Sequence, residues 1–425
     1  MSVFAKASAS RSRSLKSILS GIAIVGAGAL VLSACSTPGT ETPGGDDRED
    51  LVLKIGTLLP QTGALAFLGP PEEAGVALAV KEINEAGLGI TVEVTYGDSG
   101  DPDNKAYATT VPNLLAEGVD AIVGAASSGV TKLVIDQIVG ANTIVFSPAN
   151  TSPDFTTWND NNLYWRTAPS DLLQGEVLGN LIADDGATTL GMIVLNDAYG
   201  TGLEKVTREV FESTGGQVVA SEFFNAGDTN FSAQISSVTA QNPDAIALIT
   251  FDEIYMIAPA LKDAGFDMSK IYLVDGNLKQ FAPEDLPADT LTGAKGTTPG
   301  PVLADDFQQR LLAAHQEAFG KAMGDDFSYA AESYDAVILL ALAALAANST
   351  DAQAIAGKLQ EVSGGSGNGE KVTDFASGAQ IILDGGVVDY DGYSGPITFD
   401  SAGDPTEATI GIFQYGTDNR HSRIN

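Results

Sequence analysis

From residue 51 onward the chain alternates short apolar runs with stretches of helical periodicity. LVLKIGT (51–57) predicts a buried strand, and after LLPQTG a helix is expected over 71–86, with Val76, Val80 and Ile83 on one face. ITVEVTYGD predicts a second strand. Asp101 is then expected to cap a helix that carries Pro102 in its first turn. AIVG and TIVFSPA predict further strands, separated by a helix after Ser128, and LYWRTAPSD leads into a helix over 172–183. A second series repeats the alternation. TLGMIVLND, GGQVVASEF, DAIALIT and KIYLVDG predict strands, with helices expected near 203–214, 231–241 and 254–264.

Strands separated by helices imply parallel βαβ units with helices on both faces of each sheet. Two such series predict an α/β protein of two doubly wound parallel-sheet lobes. Neither series contains GxGxxG or GxxxxGK[ST], so dinucleotide and nucleotide-phosphate loops lack their signatures. Beyond Pro301 two consecutive helices are expected, over 304–323 and 327–347. The run VILLALAALAA in the second predicts burial on every side. The tail GPITFDSAGDPTEATIGIFQYG reads as a turn and a final strand.

Charge and composition narrow the function. The 425 residues carry 22 basic and 55 acidic side chains, a formal net charge of −33. Such a field repels phosphate backbones, which argues against a nucleic-acid partner. Only His315 and His421 are available to histidine-dependent triads or metal sites. The single cysteine, Cys35, allows no intramolecular disulfide and no cysteine-based zinc site.

The basic residues Arg11, Arg13 and Lys16 precede the apolar run ILSGIAIVGAGALVL (18–32). That run is short for a bilayer-spanning helix but suits a signal-peptide core. It ends in LSAC (32–35), which resembles the bacterial lipobox; the resemblance implies cleavage after residue 34 and lipidation of Cys35. Two acyl chains give stable anchoring where one is marginal. The Pro-, Gly- and acid-rich segment over 36–50 is expected to be a flexible linker, leaving the folded body outside the cytoplasm.

Seven stretches then appear in order: IGTLLPQTGALAFLG, ALAVKEINEAG, VDAIVGAASSGVT, SPANTSPDF, YWRTAPSDLLQGE, NDAYGTGL and YDGYSGPITFDSAGDPTEA. Together they resemble the extracytoplasmic solute-binding proteins of ABC importers, of the branched-chain amino-acid type. The resemblance implies two α/β lobes joined by three crossovers, with a ligand cleft between them. Carried onto this chain, lobe 1 is expected at 51–169 and 297–404, and lobe 2 at 170–296 and 405–425. In that family an open form closes over its ligand, and a permease powered by cytoplasmic ATPases reads the closed form.

Ser127 and Ser128 stand where an apolar strand gives way to a helix. Free backbone N–H groups and the positive end of the helix dipole converge at such a point, which suits an anion. A nucleophilic serine needs a base and an orienting partner. GAASSG is not the GxSxG elbow, and neither histidine lies near a strand end. Ser128 acting only as a helix cap is the remaining alternative.

The resemblance implies that Ser128, with Ser127 beside it, and Thr151 bind a ligand carboxylate, while the Ala149 carbonyl accepts from its ammonium. It further implies side-chain contacts from Leu68, Phe67 and Tyr329. An acid from lobe 2 is expected to meet the ammonium; Glu253 and Asp275 are the candidates, and Asn277 stands where the family has glutamate. GDSGDPDN and DYDG lack calcium-loop spacing, so no metal or other cofactor is expected. The expectation is therefore a lipid-anchored receptor that captures an amino-acid-like solute without transforming it. The alternative is a sensor of the same fold, for an amide, urea or aromatic acid, that signals through a partner protein.

Overall fold

The computed structural model describes residues 48–425. The signal peptide expected over 1–34 and the lipidation at Cys35 lie outside the described residues, as does all of the linker but its last three residues.

The chain opens with β1 (Leu51–Leu58), α1 (Gly69–Ala86), β2 (Ile90–Thr95), α2 (Tyr107–Glu117), β3 (Ala121–Gly124), α3 (Ser128–Gly140), β4 (Ile144–Ser147) and β5 (Tyr164–Arg166). These strands form one five-stranded sheet in the order β2-β1-β3-β4-β5, parallel throughout. Strand β3 is AIVG, buried at every position, as a central strand covered on both faces must be.

The chain then crosses into α4 (Asp171–Asp184), β6 (Thr189–Leu195), α5 (Ala198–Ser213), β7 (Gln217–Phe224), α6 (Ser232–Ala240), β8 (Ala245–Ile249), α7 (Ile254–Asp263), β9 (Ile271–Leu273) and β10 (Lys295–Pro299). It returns through α8 (Asp305–Phe319), α9 (Ala330–Ala347), α10 (Ala352–Val362), β11 (Glu370–Val372), α11 (Phe375–Leu383), β12 (Val388–Gly392) and β13 (Gly395–Pro396). A last crossing leads to β14 (Ile410–Tyr415) and β15 (His421–Arg423). The second sheet has seven strands, β15-β14-β10-β9-β8-β6-β7. Its β7-to-β10 portion is parallel, and β14 and β15 close one edge antiparallel.

The two-lobed α/β architecture is the expected one, with that antiparallel edge and a small β11-β12-β13 sheet added. Lobe 1 also gathers α8 to α11, which pack on α1 and on one another. The crossover expected at Thr297 falls later. Thr297 pairs with Ile412 inside β10, and the chain leaves the second sheet only after Pro299.

Helix α9 is long and apolar enough to cross a membrane by composition, yet it is buried inside lobe 1. A helix apolar on all sides belongs in a core, and Val337, Leu339 and Leu340 are each inaccessible to solvent. The helix expected at Asp101 starts instead at Tyr107. The Asp101 carboxylate accepts from the N–H groups of Asp103 and Asn104, and from Ala64 across the turn. Its side chain therefore stabilises a turn, an alternative always open to aspartate.

Candidate functional site

The parallel strands of both sheets end toward the same crevice, the usual place for a ligand in open α/β sheets. A small cavity lies there. From lobe 1 it is lined by Leu65, Leu68, Ala126, Ser127, Ser128, Ala149 and Tyr329, and from lobe 2 by Tyr199, Phe251, Asp275 and Gly276.

On the lobe 1 side, β3 empties into α3. Ser127 is the N-cap, with extended backbone angles (φ −67°, ψ 122°), and its hydroxyl oxygen accepts from the Val130 N–H at 3.2 Å. The cap role considered for Ser128 thus belongs to its neighbour. Ser128 is the first helical residue. Its Oγ accepts from the Ser152 N–H at 3.3 Å, which leaves its hydroxyl proton for something in the cavity.

The loop after β4 brings Ala149 to the same wall. Arg166, wholly buried, shapes this loop: it donates to the Asn150 and Ser152 carbonyls at 3.2 and 2.8 Å and grips Asp404 with two nitrogens, at 2.6 and 2.8 Å. Nothing in the sequence alone marks Arg166 or Asp404 for this task.

On the lobe 2 side Asp275 follows β9. Its Oδ1 accepts from Tyr199 Oη at 2.7 Å and Gln174 Nε2 at 2.9 Å, and its Oδ2 accepts from Tyr329 Oη at 2.7 Å. Burial raises the Asp275 pKa, and the three donors oppose that shift. Burial and the Asp275 charge push both tyrosine hydroxyls well above their ordinary value, so they remain neutral donors.

Of the expected residues, Ser127, Ser128, Ala149, Leu68, Tyr329 and Asp275 come together around the cavity. The other four do not line it. Thr151 is buried, with its hydroxyl 3.0 Å from Asp171 Oδ2. Phe67 is half-buried against the lobe 2 core, and Lys279 Nζ of lobe 2 lies 4.4 Å from its ring centroid.

Glu253 is held by the backbone: its Oε2 accepts from the Phe251 N–H at 2.8 Å, at the start of α7. Asn277 ties strand ends together, accepting from Val274 N–H and donating to the Leu248 carbonyl and Thr250 Oγ1. With all three bonds made, its amide is committed to the fold. Of the two candidate acids, only Asp275 reaches the cavity.

Tyr199, Phe251 and Leu65 were not foreseen. Tyr199 sits in the first turn of α5, four residues past the end of β6, and Phe251 lies two past the end of β8. The position that singled out Ser128, just after a strand's carboxyl end, is the signal that finds both. A second cavity lies where the chain leaves β10, bordered by Gly300, Leu303, Phe327 and Arg423; it shares only Tyr329 with the cleft.

Comparison with known proteins agrees with this fold. The model of a periplasmic binding protein family matches residues 52–396. The Leu/Ile/Val-binding protein homolog 1 of Brucella abortus is 30% identical over 329 residues, covering 75% of this chain and 84% of that protein. The chemotactic signal transduction system substrate-binding protein BasB of Halobacterium salinarum is 26% identical over 83% of this chain and 84% of its own length. The crystal structure of a leucine binding protein LivK from Thermotoga maritima shares the fold, with a TM-score of 0.70 at 23% identity over 88% of this chain and 98% of that one. The chain belongs to the periplasmic binding protein family, whose members bind solutes outside the cytoplasm.

Proposed function

We propose that this protein captures a branched-chain amino acid in the inter-lobe cavity and passes it, unaltered, to an ABC permease driven by cytoplasmic ATPases. One observation carries the reading: a single small cavity joins a helix N-terminus with a free hydroxyl proton, a buried carboxylate and an aliphatic wall. A zwitterion with a short apolar side chain meets all three. Its carboxylate fits the amides and Ser128 at the start of α3. Its ammonium fits the Ala149 carbonyl and Asp275, and its side chain fits Leu65, Leu68 and Phe251. The Leu/Ile/Val-binding names among the relatives support the same class of ligand. Lipidation at Cys35 would hold the body at the outer face of the membrane.

Calorimetry with leucine, isoleucine and valine, alongside analogues lacking either the carboxylate or the ammonium, tests this. The amino acids are expected to bind, and loss of either charge is expected to abolish measurable binding. Ser128→Ala should weaken leucine binding by about 1.5–3 kcal/mol, the range for a hydrogen bond to a charged group. Equal affinity for the uncharged analogues, or no heat with any of the three amino acids, overturns the proposal.

A further inference from the structure

The cavity where the chain leaves β10 is far roomier than the one in the cleft, with space for several waters or a small organic molecule. Leu303 and Phe327 border it from lobe 1, Leu278 and Phe413 from lobe 2, and the crossing segment 299–301 completes the wall. A molecule held there touches apolar side chains of both lobes. It shares only Tyr329 with a solute in the cleft.

The charges around this cavity do not balance. Asp325, Asp326 and Glu332 line it against one guanidinium, that of Arg423. His421 also borders it, but burial lowers its pKa to about 4, so the ring is uncharged near neutral pH. Arg423 donates to the Gly300 carbonyl at 3.2 Å and to Asn425 Oδ1 at 3.0 Å, and Asp325 pairs with Arg420. Among the described residues neither Asp326 nor Glu332 has an ion-pair partner; Asp326 Oδ1 accepts from the Ser328 N–H at 2.9 Å.

Glu332, in the first turn of α9, is the group that asks for a ligand. It is 4% exposed, yet no other described residue donates a hydrogen bond to its carboxylate. Its Oε1 stands at the cavity wall, where a Cβ added to Gly300 would come within 3.2 Å of it. The neighbours behind it are acids. Glu72 of α1, inaccessible and with both oxygens unpartnered, faces Glu332 with Glu73 beside it, and Asp335 follows on α9. An acid in a first turn commonly answers the helix dipole from the solvent side. A buried carboxylate among acids, without a donor from another residue, is costly where it stands. Burial pushes the Glu332 pKa up to about 8; Asp335 adds to this and its own N–H opposes it.

No group of three acids, histidines or cysteines among the described residues could hold a metal ion, so the unmatched charge suits a cation with an organic body. We propose that this cavity is a second ligand site, which takes a small primary ammonium whose charge meets Glu332 and whose short apolar chain lies against Leu303, Phe327 and Phe413. The site does not depend on what the cleft binds.

Calorimetric titration of n-butylammonium chloride into the intact protein tests this, at physiological salt so that the acidic surface is screened. One molecule per chain is expected to bind, and butyrate none. Methylammonium, which lacks the chain, should bind at least tenfold more weakly. Glu332→Gln keeps the shape, removes the charge and should lose at least tenfold in butylammonium affinity. Asp275→Asn, in the cleft, should leave that affinity unchanged.

The ammonium is served by the ionised carboxylate, so capture at pH 7 releases a proton from Glu332. Affinity should therefore be about tenfold higher at pH 9 than at pH 7. The proton count, read in buffers of different ionisation enthalpy, decides if Glu332→Gln does not fold. No heat with millimolar butylammonium, equal affinity in wild type and Glu332→Gln, binding without proton release at pH 7, or binding lost in Asp275→Asn overturns this inference and leaves the cleft reading untouched.

Discussion

Arg166 and Asp404 form a bidentate pair inside the protein, close to the cavity but not in it. Arg166 is wholly buried, and Thr156 also donates to Asp404, at 2.6 Å. The pair connects the chain just before the first crossover to a segment close to the last, and it supports the loop that presents Ala149. Removing one partner strands the other charge in a low-dielectric interior, which typically costs about 3–5 kcal/mol. Arg166→Ala is expected to lose about that much stability in denaturant unfolding, whereas replacing both residues with well-packed apolar ones should cost much less. Equal losses in the single and double variants would mean that the guanidinium acts through the Asn150 and Ser152 carbonyls alone. Residues of this kind were hard to find in the sequence. YWRTAPSD and SAGDPTEA are more than 200 positions apart, and only the fold reveals that one answers the other.

The helices and strands were more legible. Apolar runs in the second series match β6, β8 and β9 because a strand buried on both faces must be apolar throughout. Ends were read less well. Asp101 and Pro102 have the composition of a helix start, but the aspartate reaches N–H groups within its own turn and the helix begins at Tyr107. The candidate residues divide on the same principle. Ser128, Ala149 and Asp275 follow strand ends, where topology alone points them at the crevice. Phe67, Glu253 and Asn277 are nearby in sequence, but local hydrogen bonds or a cation turn them elsewhere.

One contact between elements makes its own prediction. Gly129, in the first turn of α3, lies so close to Asp197, the N-cap of α5, that an added Cβ would come within 2.5 Å of Asp197 Oδ2. An alanine inside a helix is otherwise preferred to glycine by about 1 kcal/mol. Gly129→Ala should therefore leave the unfolding midpoint unchanged or slightly raised while weakening leucine binding, because it holds the start of α3 away from α5. A variant that binds leucine as tightly as wild type would show that the two helices need not approach this closely.

At the scale of the molecule, the two lobes touch at the cavity wall and beside it. The Tyr329 hydroxyl of lobe 1 donates to Asp275 of lobe 2, and Lys279 of lobe 2 lies over the ring of Phe67 of lobe 1. Lys279 also pairs with Asp252 and lies 4.5 Å from the Tyr255 ring centroid, so its ammonium is nearly enclosed. Residues 35–425 carry 18 basic and 55 acidic side chains, so a permease face that receives this protein is expected to be basic.

The Tyr329–Asp275 bond sets a limit on speed. It spans the lobes at the cavity wall, and its parting is expected to gate arrival, a step that solute concentration does not accelerate. Stopped-flow capture rates should therefore climb with leucine and then level off, and Tyr329→Phe should raise the plateau. Rates that remain proportional to concentration would mean that the doorway stands elsewhere.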